Sequence, residues 1–335
     1  MKVGIYTLGN DAVLDQILAL LNSIEATVGP DMPVCICPYD DQVDALRAAI
    51  SSRPQVSLFD DIATIQKWDA YAKAIWDVHP TAHQRWQAAG SQGYHRLGTH
   101  RRFCGFDGPF EAFIYMDADT LLLDQVSDVF QQLETHDWVV YDFQHKDPSH
   151  VYDVQSSRLC QVFSPEQLQT QIFCSGFYAT RRQIFSDTQL AELLFHLQNG
   201  DAEILYSQAP DQTILNYMVM KSDLRFTNLA LQRPPDRVTG NSVTSPHFEI
   251  RDHIVYDRGK RLQYLHYIGV SSKLFKRVCQ GENWAIPYRD VFLHYRYRHA
   301  PAERPSLTGR PQRYQPHLTR KQRFKQRLFR ALGRA

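Results

Sequence analysis

Residues Phe113 to Leu123 read Phe-Ile-Tyr-Met-Asp-Ala-Asp-Thr-Leu-Leu-Leu, an apolar run interrupted by two carboxylates one residue apart. Such a run predicts a strand buried on both faces, as in parallel or mixed sheets. In extended backbone, side chains at i and i+2 point the same way, so Asp117 and Asp119 can address one cation. Two buried charges are costly unless paired or metal-bound. Hard divalent cations such as Mg2+ and Mn2+ take oxygen ligands and bridge to substrate phosphates. The run therefore predicts a metal-assisted diphosphate site at a strand end. The same tripeptide also serves in turns and helix caps, which is the alternative reading.

The first 80 residues alternate strand and helix patterns. Strands are expected at 3–8, 33–37 and 56–59, and helices at 11–27, 41–50 and 61–77, the first with Leu14, Ile17, Leu18, Leu21 and Ile24 at helical spacing. This order predicts an α/β fold with a Rossmann-like sheet flanked by crossover helices. No glycine fingerprint follows the first strand, which argues against a dinucleotide cofactor. Residues 79–110 predict loops and a helix leading into a strand at 111–116. Further strands are expected at 138–143 and 171–179, helices at 181–198 and 211–221, and short mixed strands over 224–297.

The chain of 335 residues carries a formal charge of +1, but unevenly. Residues 296–335 hold twelve Lys/Arg and one acid, Glu303; taken from totals of 37 and 36, that leaves 25 basic and 35 acidic residues in 1–295. Pro301, Pro305, Pro311 and Pro316 predict a linker, and Leu318–Leu332 reads as a basic amphipathic helix, with Phe324, Leu328, Phe329 and Leu332 on one side. Such a helix suits an anionic membrane surface. A disordered end, a protein contact and nucleic acid are the competing readings, nucleic acid the least favoured. The expected division is 1–297 as the main domain and 298–335 as a basic extension. Six dispersed cysteines, with no Cys-x-x-Cys pair, fit a reducing compartment. Cys35 and Cys37 are expected as small core residues. The absence of a signal-peptide pattern and of a long apolar run predicts a cytoplasmic protein.

Three further segments line up with the acidic pair. Phe173-Cys174-Ser175-Gly176-Phe177 places small residues in an apolar strand, where a ligand can approach the backbone. Asp211-Gln212-Thr213-Ile214-Leu215-Asn216 opens a helix, a favourable place for a carboxylate. His266-Tyr267-Ile268-Gly269 follows an apolar stretch and precedes Lys273. Taken one at a time, His266 also reads as a structural histidine, Asp211 as a helix-start residue, and Arg101 as one charge on a solvated face.

In this order the motifs resemble glycosyltransferase family 8 of the GT-A superfamily, over Lys2 to about Lys276, and a group of generically described cyanobacterial sugar transferases. The resemblance implies a GT-A fold and a metal-dependent, retaining transfer from a nucleotide-diphosphate sugar, a UDP-sugar first, to a glycan or lipid-linked acceptor. It implies Asp117, Asp119 and His266 as ligands of Mn2+ or Mg2+. It also implies Asp211 and Gln212 at the reactive carbon, Arg101, Ser175 and Gly176 on the donor, Lys273 on the leaving diphosphate, and Thr7 and Asn10 on the nucleotide. The chain departs from the family at Cys174, where an Asn is usual, and at Val13, where a Tyr stacks on the base. It also lacks the Pro-Trp that ends the histidine motif. A sugar nucleotidyltransferase, or a non-catalytic protein binding membrane or nucleic acid through its tail, are the alternatives. The first lacks its basic, Gly-rich loop: residues 8–16 hold one glycine and no Lys or Arg.

Overall fold

A computed structural model describes residues 2–314. Eight strands occupy its first two thirds: β1 (Val3–Gly9), β2 (Val34–Pro38), β3 (Val56–Leu58), β4 (Ala112–Met116), β5 (Thr120–Leu122), β6 (Trp138–Val140), β7 (Phe177–Arg181) and β8 (Phe226–Asn228). All but β5 form one sheet in the order β3-β2-β1-β4-β7-β6-β8. Strands β3, β2, β1 and β4 run parallel, and β7 runs against both β4 and β6.

The period of two in these strands sorts the core into two layers. Tyr6, Leu8, Cys35, Cys37, Phe113 and Tyr115 face one way, onto Trp68 and Ile75 of the helix Ile62–Asp77. Ile5, Val34, Ile36, Ile114 and Met116 face the other, onto Ile17, Leu20, Leu21 and Ile24 of the helix Leu14–Val28. With both faces covered, the central strands read as continuous apolar runs. The side chain of Asp61 caps the start of the helix Ile62–Asp77 by accepting from the N–H groups of Ala63 and Thr64.

The chain leaves β1 toward β2 and β3 on one side and returns as β4 on the other. This change of direction opens a crevice at the carboxyl ends of β1 and β4, where α/β sheets bind ligands. Because β7 is antiparallel, Phe177 pairs with Met116, and the start of β7 adds to the same edge.

The remaining strands are β9 (Glu249–Arg251), β10 (Ile254–Asp257), β11 (Lys260–Arg261), β12 (Tyr264–His266), β13 (Glu282–Ala285) and β14 (Thr308–Arg313). Strand β12 pairs with β5, placing His266 opposite Thr120. Leu121 and Leu123 pack with Leu265, Tyr267, Phe275 and Phe292 in a third apolar cluster under the C-terminal helices Ser272–Cys279 and Arg289–Arg296.

Several expectations need correction. The strand expected at 111–116 is β4, but Asp117 and Asp119 do not continue it: β4 stops at Met116, the chain turns, and β5 belongs to a different ribbon. The segment 173–176 is loop, and β7 begins at Phe177. Strand β6 ends at Val140, and the helix expected from 181 starts at Asp187, after the Ser186 cap. Within the stretch read as a linker, Thr308–Arg313 pairs in parallel with β13. The expected helix Leu318–Leu332 lies outside the described residues. No helix among the described residues is long and apolar enough to cross a membrane.

Candidate functional site

The two carboxylates converge through a turn. Beyond β4 the Asp117 N–H donates to the carbonyl of Gly176 at 3.0 Å, and the Thr120 N–H and hydroxyl both donate to the carbonyl of Asp117, at 3.1 and 2.7 Å. The Tyr267 N–H then donates to the Asp119 carbonyl at 2.9 Å, tying the turn to the residue after β12. His266 Nε2 stands 3.3 Å from Asp119 Oδ1. One ligand atom each from Asp117, Asp119 and His266 lies within 4.8 Å of the others. Two carboxylates and an imidazole suit a divalent cation of the manganese or magnesium kind. Gly176 keeps this space open: a Cβ there would lie 2.6 Å from His266 Cε1 and 3.0 Å from Asp117 Oδ2.

Arg102, the neighbour of the residue singled out from the sequence, organises the rest. Its side chain is 4% exposed, and Nη2 lies 3.0 Å from Asp117 Oδ1 and 2.9 Å from Asp211 Oδ2. Nη1 donates to the carbonyl of Ser175 at 2.9 Å, and the guanidinium sits 4.7 Å from the centre of the Tyr115 ring. The Tyr115 hydroxyl donates to Asp117 Oδ1 at 2.9 Å. Two carboxylates, Asp117 and Asp211, thus share one buried arginine.

Charge is distributed unevenly over this group. Burial raises the pKa of Asp117, and Arg102 only partly offsets it. For Asp119, burial is outweighed by the charge and hydrogen bond of His266, so its carboxyl is held low. Burial likewise opposes the charged form of His266, but Asp119 prevails and its pKa is raised well above the usual value. Asp211 is held low by Arg102 against its burial.

Asp211 and Gln212 stand in the first turn of the helix Pro210–Lys221. The Ser175 N–H donates to Gln212 Oε1 at 3.2 Å, and Gln212 Nε2 donates to the His150 carbonyl at 3.0 Å. One turn on, the Asn216 amide accepts from the Phe173 N–H at 3.0 Å and donates to its carbonyl at 2.9 Å. The helix therefore fixes the loop 173–176 that borders the Asp117–Asp119–His266 cluster.

A cleft of about 380 Å³ opens beside these groups, bordered by Leu8, Gly9, Asn10, Tyr39, Arg96, Thr99, Arg102, Asp117 and Asp119. Asn10 Nδ2 donates to Asp40 Oδ2 at 2.9 Å, and its Oδ1 accepts from the Ala12 N–H. The structure thus gathers Asn10, Asp117, Asp119, Ser175, Gly176, Asp211, Gln212 and His266 around one edge of the sheet. Three expected residues stand apart. Thr7 is fully buried within β1 and does not border the cleft. Arg101 turns away to pair with Asp69 at 2.9 Å. Lys273 is exposed on the helix Ser272–Cys279, and it is Ser272 that reaches the cleft.

Two residues escaped the sequence reading. Arg102 was adjacent to the choice made, and only the helical turn 97–106 decides which arginine faces inward. Asp142, just past β6, is 2% exposed, and one of its oxygens accepts from the Gln144 N–H at 2.7 Å. Burial, against the hydrogen bond from Gln144, pushes its pKa up to about 7. The signal was a carboxylate directly after the apolar strand Trp138–Val140.

No protein-family model matches the chain, and no curated protein matches it in sequence. Solved structures do resemble it. The apo bifunctional glycosyltransferase WbbM superimposes with a TM-score of 0.54 at 15% identity, over 91% of this chain and 52% of that protein. The chain therefore spans about half the length of WbbM. The galactosyltransferase LgtC, in complex with donor and acceptor sugar analogues, gives 0.49 at 15% identity, over 82% and 94%. GlyE of Streptococcus pneumoniae, in apo form, gives 0.43 at 13% identity, over 88% and 60%. The fold is that of GT-A glycosyltransferases.

Proposed function

We propose that the chain is a metal-dependent glycosyltransferase that moves a sugar, with retention, from a nucleotide-diphosphate donor to a hydroxyl of a glycan or lipid-linked acceptor. One observation carries the reading. On a GT-A fold, Asp117, Asp119 and His266 converge, and Asp117 and Asp119 line a cleft together with the buried Arg102, which pairs with Asp211 behind it.

Asp117, Asp119 and His266 would hold Mn2+ or Mg2+. When bound, such an ion supplies Lewis-acid neutralisation of charge developing on the leaving diphosphate. The other roles belong to the chain's own residues. The nucleotide lies along Leu8–Asn10 and Tyr39, at the ends of β1 and β2, with UDP the first donor to test. Arg102 contributes fixed positive charge in a water-poor setting and orients Asp211. Asp211 and Gln212 face the donor's anomeric carbon. There the bond to the diphosphate breaks as the acceptor hydroxyl forms the new glycosidic bond from the same face, its proton passing to an oxygen of the departing diphosphate. Ser175 and Gly176 present backbone to the sugar, and Ser272, the residue before the exposed Lys273, borders the cleft. A cytoplasmic enzyme whose basic tail rests on an anionic membrane is the setting this reading favours.

The test is turnover. Nucleotide release from UDP-sugars with manganese should fall at least about hundredfold in Asp119→Asn with the fold retained. Undiminished release in that variant would remove the assignment.

A further inference from the structure

Gln212 borders a second, larger cleft, of about 1010 Å³. Its two walls differ in chemistry. His150, Tyr206, Gln208 and Gln212 form one, rich in hydrogen-bonding groups, with the Tyr206 hydroxyl on Gln208 Oε1 at 3.0 Å. Val243, Pro246, Ile268, Pro287, Tyr288 and Tyr314, with Thr244 as the one hydroxyl-bearing aliphatic among them, form the other.

Both tyrosines of the second wall commit their hydroxyl protons to backbone carbonyls. Tyr314 donates to the Gly269 carbonyl at 3.1 Å, and Tyr288 donates to the Ser245 carbonyl. Their rings therefore offer apolar surface to the cleft, with no hydroxyl proton left to donate into it. Ile268, two residues past the metal-ligand candidate His266, is 41% exposed. A single exposed isoleucine needs no explanation, but one set among prolines, a valine and two capped tyrosines in a concavity does. Aromatic rings alone would also suit a sugar face; the aliphatic members favour a hydrocarbon.

We propose that this cleft binds an amphiphilic acceptor, its sugar hydroxyl at Gln212 and its apolar aglycone against Ile268, Pro287, Tyr288 and Tyr314. The assignment rests on the glycosyltransferase reading above for the name acceptor, but the cleft's affinity for an alkyl glycoside does not. The walls explain how one residue, Gln212, touches both substrates. Its amide holds the Ser175 loop on the donor side while its flank lines the acceptor cleft.

The experiment uses the full chain and methyl, butyl and octyl β-D-glucosides below micellar concentration, with dissociation constants read by ligand-observed NMR. Burial of hydrocarbon predicts about fourfold tighter binding per methylene over the first several carbons. Ile268→Asn should at least halve the logarithmic slope of that series. Tyr314→Ser should do the same, whereas Tyr314→Phe, which keeps the ring, should leave it intact. A flat series in the wild type, or a slope indifferent to Ile268→Asn and Tyr314→Ser, overturns the proposal. The wild-type thermal response to UDP with manganese is recorded separately. A steep series without that response keeps the apolar cleft and retires the glycosyltransferase reading, whereas the converse does the opposite.

Discussion

The Arg102 guanidinium lies 2.9 Å from the Asp211 carboxylate, and both side chains are buried where the cleft beside Asp117 meets the helix Pro210–Lys221. Removing one partner of such a pair leaves an uncompensated buried charge. Here two carboxylates, Asp117 and Asp211, would be stranded together. Arg102→Met should therefore cost about 3–5 kcal/mol of unfolding free energy. Urea denaturation checks this, and a loss below about 1 kcal/mol would mean that the acids find another partner or simply protonate.

Arg101 supplies the contrast one residue away. It pairs with Asp69 and does not border the cleft. Arg101→Gln should lower stability by about 1–2 kcal/mol while leaving UDP affinity within about twofold. Titration of UDP into both variants separates the structural arginine from the one at the site.

Gly176 is predicted to be intolerant for a spatial reason. The added methyl of Gly176→Ala would meet His266 and Asp117 at 2.6 and 3.0 Å, so one of the two must move. Manganese affinity should drop at least about tenfold, with a melting temperature reduced by only a few degrees. Electron paramagnetic resonance of free manganese measures the first, and a thermal melt the second.

How much of this was legible follows from where each signal came from. Strands β1, β2 and β4 announce themselves because both their faces are covered, giving unbroken apolar runs. That same continuity hid the turn at 117–119. Leu121 to Leu123 are as apolar as Phe113 to Met116, although Leu121 and Leu123 pack in a different cluster, with Tyr267 and Phe275. Asp117 and Asp119 therefore meet, but by a turn rather than by strand period. The Arg101–Arg102 choice needs the phase of a helical turn that two adjacent arginines cannot reveal. Strand β14 is exposed along its whole length, so Thr308–Arg313 carries no burial pattern to read.

Asp142 gives a pH signature. Burial lifts its folded pKa to about 7, above the roughly 3.9 of an unfolded aspartate. Folding then takes up a proton between those values. The stability contributed by the neutral carboxyl is whole below about pH 4 and lost as pH rises through about 7. Asp142→Asn, which cannot ionise, should gain on the wild type in melting temperature from pH 5 to pH 8. An unchanging difference across that range would mean that Asp142 ionises in the folded chain as freely as in the unfolded one.

The central claim is that Asp117, Asp119 and His266 form a metal site that serves a nucleotide diphosphate. Calorimetric titration of manganese into the wild type and Asp119→Asn, with and without UDP, addresses it most directly. The account predicts one manganese per chain in the wild type, bound at least about tenfold tighter when UDP is present, and both binding and coupling lost in the variant. Manganese binding that Asp119→Asn leaves intact, or that UDP does not tighten, would contradict it.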